Sequence, residues 1–178
     1  HEVIPDRIEA GTYMIIGALC GDNLKIDNII PKHLEAIISK LEDMGIPVKV
    51  EPDNIVVSKP KKYKPTNIKT LVYPGFPTDL QQPFTVLLTQ AEGTSLLEET
   101  IYENIFMHIP YLNKMNAKIK VNGKVATING PTQLLATEVE ATDLRAGSTM
   151  VAAALIADGT TTITKVEHIL RGYEKLDL

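Results

Sequence analysis

Three stretches of this sequence are apolar or small at nearly every position, and each follows an aspartate. Residues 8–20 follow Asp6, residues 80–91 follow Asp79, and the Ala-rich residues 145–157 follow Asp143. In the first, Ala10, Gly11, Gly17 and Ala18 are scattered among larger apolar residues. A helix that is apolar on every face must be buried, and small residues let its neighbours approach closely. Pro83 falls in the first turn of the second helix, where a missing N–H does little harm. A glycine closes each stretch: Gly21, Gly93 and Gly159, at 15, 14 and 16 residues after the aspartate. The aspartates are 73 and then 64 residues apart, which predicts three units of roughly 60–70 residues. The approximate units are 1–60, 61–130 and 131–178, the last incomplete.

Between these helices the pattern changes period. Residues 31–44 place Leu34, Ile37, Ile38, Leu41 and Met44 on one stripe, so this helix has a wet face. Pro31 suits its first turn and Gly45 its C-terminal end. Residues 108–115 and 167–176 read as further striped helices. Alternating or β-branched runs predict strands at 24–29, 48–50, 55–57, 68–72, 95–100, 118–121, 124–128, 138–141 and 160–165, with a short one at 2–4. Pro52-Asp-Asn54 supplies one turn, and Asn122-Gly123 predicts a type I′ hairpin. The fold class is α/β, with the apolar helices inside and the striped helices half exposed.

Composition narrows the function classes. A hydrophobic content of 44% with 22% charged residues fits an ordinary soluble globular protein. The apolar runs stop short of the roughly 18 residues a membrane span needs, and no secretion signal marks the N-terminus. Cys20 is the single cysteine, which excludes an internal disulfide and fits a reducing compartment, so the expected location is the cytoplasm. Lys59-Pro-Lys-Lys-Tyr-Lys64 is the one basic cluster and reads as a solvated linker. With a net charge of −4, no Trp and three Phe, nucleic acid is a poor partner. The chain begins at His1 and stops at Leu178 inside a predicted helix, so both ends are expected to be cut.

Several stretches together resemble one family. They are Pro5-Asp-Arg-Ile-Glu-Ala-Gly-Thr12, Phe76-Pro-Thr-Asp79, Tyr102-Glu-Asn104 with Phe106-Met-His108, Thr142-Asp-Leu-Arg-Ala146, and His168-Ile followed by Arg171-Gly-Tyr-Glu174. In this order they are similar to the UDP-N-acetylglucosamine 1-carboxyvinyltransferases of the enolpyruvyl transferase family. The resemblance implies a two-domain enzyme, each domain an inside-out α/β barrel of three βαβαββ units. This chain would then be most of the C-terminal domain, its third unit truncated. It further implies that the 3-hydroxyl of UDP-N-acetylglucosamine attacks C2 of phosphoenolpyruvate and phosphate leaves, with no metal or organic cofactor. That is the first committed step of peptidoglycan precursor synthesis, which serves cell-wall biogenesis, cell shape and cell division. Such chemistry asks for cationic groups around phosphate and carboxylate and for groups that move two protons.

The resemblance also assigns residues. Asp79 matches the carboxylate that grips the sugar 3-hydroxyl and is a proposed base; spacing alone would make Thr78 or Asp79 a helix cap. The turn Tyr73-Pro-Gly-Phe-Pro77 before it is stiff. Ile101 matches a position whose backbone contacts the UDP-sugar, although its side chain alone would read as core. Arg145 and Arg171 match arginines that help hold phosphoenolpyruvate, a dianion suited to planar, multi-donor partners. Arg7 and Glu9 read as ties between units. Ile105 stands where the family commonly has arginine, which removes a cleft cation. Cys20 does not match the family's reactive cysteine, which belongs to the other domain; it reads as a structural thiol near the end of a buried helix. His33, His108 and His168 read as capping or packing residues, and no metal-ligand spacing accompanies them.

Half of the family's cleft lies outside these residues, so the 178-residue chain alone is expected to be inactive. The rival reading is a non-catalytic binding module built on the same repeat.

Overall fold

In a computed structural model that describes residues 1, 3–103 and 106–173, Asp6 starts the first helix. Its carboxylate accepts from the N–H groups of Ile8 (2.7 Å) and Glu9 (3.4 Å), two of the donors that a helix start leaves unpaired. That helix, α1, spans Arg7–Cys20 and is followed by strand β1, Leu24–Asp27. A 3₁₀ turn at Pro31–Leu34 runs into α2, Glu35–Asp43, and the strands β2 (Val48–Val50) and β3 (Asn54–Val57) follow. Next come β4 (Ile68–Lys69), α3 (Thr78–Thr89), β5 (Gly93–Glu98) and α4 (Ile109–Lys114). The hairpin β6 (Lys118–Asn122) and β7 (Val125–Gly130) leads to β8 (Glu138–Glu140). The described chain closes with α5 (Leu144–Ile156), β9 (Thr162–Thr164) and α6 (Glu167–Leu170).

The three apolar helices α1, α3 and α5 pack against one another in the centre. Their approach is close. A Cβ added to Gly11 of α1 would fall 2.4 Å from Leu80 Cδ1 of α3, so a larger residue would push the two helices apart. Met14, Ile15, Phe84, Leu87, Leu88 and Met150 fill this core, and Phe84 meets Phe76 edge to face at 5.2 Å. Threonines enter the same core with their hydroxyls satisfied, because each donates one turn back. Thr12 bonds the carbonyl of Ile8 (2.9 Å), Thr85 that of Gln81 (2.8 Å) and Thr149 that of Arg145 (2.7 Å).

Around the helices lie three separate sheets of the described strands, which do not close into a barrel. The first is antiparallel in the order β1-β3-β2. The second has the order β4-β5-β7-β6, with β4 parallel to β5 and the other pairs antiparallel. The third is the parallel pair β8-β9.

Several sequence expectations need correction. The strand expected at 68–72 stops at Lys69 because the chain folds back on itself: Leu71 N donates to Phe76 O (3.0 Å) and Gly75 N to Val72 O (2.8 Å). Val72 is 76% exposed as a result. The hairpin turns one residue later than expected, across Gly123-Lys124, since Asn122 already pairs with Val125. Of those two residues Gly123 alone has positive φ (+58°), the pattern of a type II′ rather than a type I′ turn. Val3 and Ile4 are exposed and in no strand, and Glu2 lies outside the described residues. The last striped helix is four residues long where described, and residues 174–176 of the expected span lie outside.

The basic segment at 59–64 is also more than a linker. Its Tyr63 is 8% exposed and donates to the last carbonyls of α1, Ala18 O (2.8 Å) and Leu19 O (3.5 Å). Burial pushes the Tyr63 phenol up to about 12. Cys20 ends the same helix; it is exposed rather than buried, and its thiol turns back toward Ile16 O (3.3 Å). Burial of the sulfur pushes that thiol up, with Lys59 acting in the opposite direction.

Because the folded state holds the Tyr63 proton more tightly than the unfolded chain, this contribution is present below pH ~10 and lost as pH rises through about 12. Urea midpoints should therefore fall over that window in the wild type and fall less in Tyr63→Phe; equal falls would contradict this. Cys20, despite its exposure, should alkylate with iodoacetamide at pH 8 more slowly than free cysteine, because less of it is thiolate. An equal or faster rate would contradict the raised thiol.

Candidate functional site

The N-terminal ends of the central helices lie together. Asp143 caps α5 as Asp6 caps α1, accepting from Arg145 N (2.8 Å) and Ala146 N (2.9 Å). The start of α3 is built differently. Pro77 takes the capping position and makes no side-chain cap, so Thr78 is the first helical residue and Asp79 the second. Asp79 therefore does not cap its helix. It is not the counterpart of Asp6 and Asp143, and its carboxylate is left for another partner.

That partner is Arg145, the second residue of α5. Arg145 Nε and Nη2 both bind Asp79 Oδ1. The pair is part exposed, 32% for Asp79 and 42% for Arg145, so its net strength is modest and its free edges face solvent. Near the same end, the Arg7 guanidinium lies 5.0 Å from the centre of the Tyr73 ring, which joins the start of α1 to the loop before α3. His33 meets the other side of this arrangement, edge-on to Tyr73 at 6.4 Å. Arg7 is thus a tie between segments, as the sequence suggested. Three helix N-termini in one place put partial positive charge there, which suits an anionic ligand.

Ile101 is 37% exposed and not part of the core. Its N–H donates to Glu99 Oε1 (2.8 Å), as does that of Tyr102 (3.2 Å). Glu99 follows β5 and is 1% exposed. Its Oε1 also accepts from Thr70 Oγ1 and its Oε2 from Thr78 Oγ1, each at 2.8 Å. One buried carboxylate thus ties the Ile101 backbone to the residue before Asp79. Sequence reasoning missed Glu99. A lone Glu after a strand reads as solvated, and its hydroxyl donors lie 29 and 21 residues away along the chain.

Arg171 is exposed at the end of α6 and touches none of the other three candidates. The neighbouring Gly172 does place it: a Cβ there would fall 2.3 Å from Leu144 Cδ1, the residue before Arg145. Tyr173 then meets Thr12 of α1, hydroxyl to hydroxyl, at 3.1 Å. The structure therefore brings Asp79 and Arg145 into contact, links Ile101 to them through Glu99, and sets Arg171 at their edge. Ile105 lies outside the described residues.

An open cavity of about 790 Å³ is lined by Glu99, Tyr102, Phe106, Met107, Val121 and Lys124 and includes none of Asp79, Arg145 or Arg171. Among the described residues no group of three or more His, Cys, Asp or Glu is placed to hold a metal. No described helix is long and apolar enough to cross a membrane. His108 is fully buried, with Nε2 3.3 Å from Thr85 Oγ1, and packs rather than caps.

Comparison with known proteins places this geometry in a family. The chain is 55% identical over 176 residues to UDP-N-acetylglucosamine 1-carboxyvinyltransferase 2 of Listeria monocytogenes serotype 4b (strain F2365). It is 54% identical over 176 residues to the enzyme of the same name from Bacillus cereus (strain ATCC 14579). These matches cover 99% of this chain but 42% and 41% of the relatives, so the chain spans less than half their length. Among solved structures, the enolpyruvyl transferase NikO from Streptomyces tendae superposes with a TM-score of 0.88 at 30% identity, over 96% of this chain and 41% of NikO. EPSP synthase from Acinetobacter baumannii shares the fold, with a TM-score of 0.70 at 15% identity over 92% of this chain and 39% of that one. The family model of EPSP synthase (3-phosphoshikimate 1-carboxyvinyltransferase) matches residues 1–177, and the chain belongs to that enolpyruvyl transferase family.

Proposed function

We propose that this chain is most of the C-terminal domain of a two-domain UDP-N-acetylglucosamine 1-carboxyvinyltransferase. The observation that carries the reading is 55% identity along nearly the whole chain to a protein of that name. In this reading the domain wraps βαβαββ units around its central helices, in the family's inside-out arrangement, with the third unit incomplete in these residues. The enzyme works in the cytoplasm of a bacterium, at the entry to peptidoglycan precursor synthesis. Its substrates are phosphoenolpyruvate and UDP-N-acetylglucosamine, its partner is the N-terminal domain, and it uses no metal or organic cofactor.

The arrangement around Asp79 supports specific roles. Arg145 occupies Oδ1 of Asp79, and Oδ2 has no partner among the described residues. Oδ2 is the atom that accepts the sugar 3-hydroxyl and orients its oxygen toward C2 of phosphoenolpyruvate. As the C–O bond forms at C2, the hydroxyl proton passes to that carboxylate and the double-bond electrons take up a proton at C3; loss of a C3 proton from the tetrahedral intermediate then re-forms the double bond as phosphate leaves. Arg145 presents its remaining donors to the anionic substrate, Arg171 adds a second guanidinium at the edge, and the helix N-termini add their partial charge. The N–H of Ile101 is engaged by Glu99, so its carbonyl is the backbone group that reads the sugar nucleotide.

Phosphate release in the presence of both substrates tests the proposal. The two-domain protein should release phosphate only when both are present, and the 178-residue chain alone should release none. Asp79→Asn in the two-domain protein should lower turnover by roughly 100-fold or more with an unchanged circular dichroism spectrum. Turnover by the isolated chain would overturn the placement of the cleft, and near-normal turnover by Asp79→Asn would remove Asp79 from the chemistry. An inactive two-domain protein that still binds the sugar nucleotide would favour a non-catalytic binding module.

A further inference from the structure

Glu99 is an unusual group for the interior. It is a carboxylate at 1% exposure, and among the described residues no cationic side chain pairs with it. Burying a charge is costly unless hydrogen bonds replace its water. Here four neutral donors do so: the hydroxyls of Thr70 and Thr78 and the N–H groups of Ile101 and Tyr102. The donors come from three segments. Thr70 lies just past β4, Thr78 is the first residue of α3, and Ile101 and Tyr102 belong to the loop after β5. The N-terminus of α3 adds its own partial positive charge beside Oε2.

The surroundings hold the carboxylate rigidly. Glu99 N donates to Lys124 O (2.8 Å), which fixes its backbone to the hairpin. Thr70 Oγ1 accepts from Thr100 N (2.9 Å), and Thr100 Oγ1 in turn donates to Thr70 O. Thr70 is therefore locked between Glu99 and Thr100. Among the described residues, the hydrogen bonds that tie the first turn of α3 to the Ile101 loop run through Glu99.

We infer that Glu99 is a positioning residue for the sugar-nucleotide side of the reaction, setting the Asp79 carboxylate and the Ile101 backbone at a fixed separation. The inference rests on the transferase reading above, in which those two groups grip one substrate. At 1% exposure and with its carboxylate hydrogen-bonded to four donors, Glu99 acts through Thr78 and the Ile101 loop. Arg171 lies outside its network and Arg145 is reached only through Asp79, so its effect falls mainly on the sugar nucleotide. A carboxylate suits the task because Oε1 takes three donors at once. Glutamine could keep most of the network: its amide nitrogen, in the place of Oε2, would donate to the Thr78 hydroxyl, which can accept as well as donate.

Steady-state kinetics of the two-domain protein decide the matter, with three variants. Glu99→Ala should raise KM for UDP-N-acetylglucosamine by roughly ten-fold or more and lower kcat, with a much smaller change in KM for phosphoenolpyruvate. Glu99→Gln should recover most of that loss. Thr78→Val, which cuts only the Oε2 link, should show the same one-sided pattern more weakly and keeps the test available if Glu99→Ala fails to fold. A rise in both KM values alike in Glu99→Ala or Thr78→Val, tracking a drop in Tm and with no rescue by Glu99→Gln, would make Glu99 a stabilising residue only and overturn the inference. A wild-type protein that does not turn over this substrate pair would instead sink the transferase reading, so the two failures are told apart.

Discussion

Helices that are apolar on every side can be stable only when they bury one another, and that constraint organises this protein. α1, α3 and α5 satisfy it by packing together, with Gly11 giving way to Leu80 where two of them come closest. The striped helices and small sheets then cover the outside, each with one dry and one wet face. Packing the helices so that their starts meet gathers the partial positive charges and the second residues of α3 and α5 in one place. The candidate site is a consequence of that packing. The body of each helix serves the core, and the first turn is free to serve a ligand.

Within that plan, small differences at the helix starts decide what each can do. Asp6 and Asp143 are consumed by capping, since both accept from backbone N–H groups of their own helix. Pro77 takes the cap position of α3, and this places the acidic residue two positions inside the cap and frees Asp79. Arg145 sits at the matching position of α5 and meets it. The beginning of α3, lacking a side-chain cap, is instead anchored from outside by Glu99 through Thr78. A helix start held by its neighbour rather than by itself can be aligned with another loop, here the one carrying Ile101.

Much of this was legible in the sequence because it is local. The all-apolar runs and the stripe of Leu34, Ile37 and Leu41 each follow from spacing along the chain, and the element order matches them closely. What failed depends on contacts between distant segments. Leu71 and Val72 look like the end of a strand, but β5 offers no partner beyond Glu98 and they remain exposed. Cys20 looks buried because its helix is, yet it falls on the last exposed turn. Spacing could not distinguish a capping Asp79 from one placed a residue or two further in, and this hid its pairing with Arg145. Glu99 carried no local signal at all.

The central claim is that Asp79 is turned toward Arg145 across the helix interface and not toward its own backbone. A double-mutant cycle on the stability of the two-domain protein, using Asp79→Asn, Arg145→Gln and the double variant, tests it most directly. The part-exposed pair should give a coupling of about 0.5–1 kcal/mol. If Asp79 were a cap, Asn would serve nearly as well, and the two substitutions would add with no coupling, which would contradict the account.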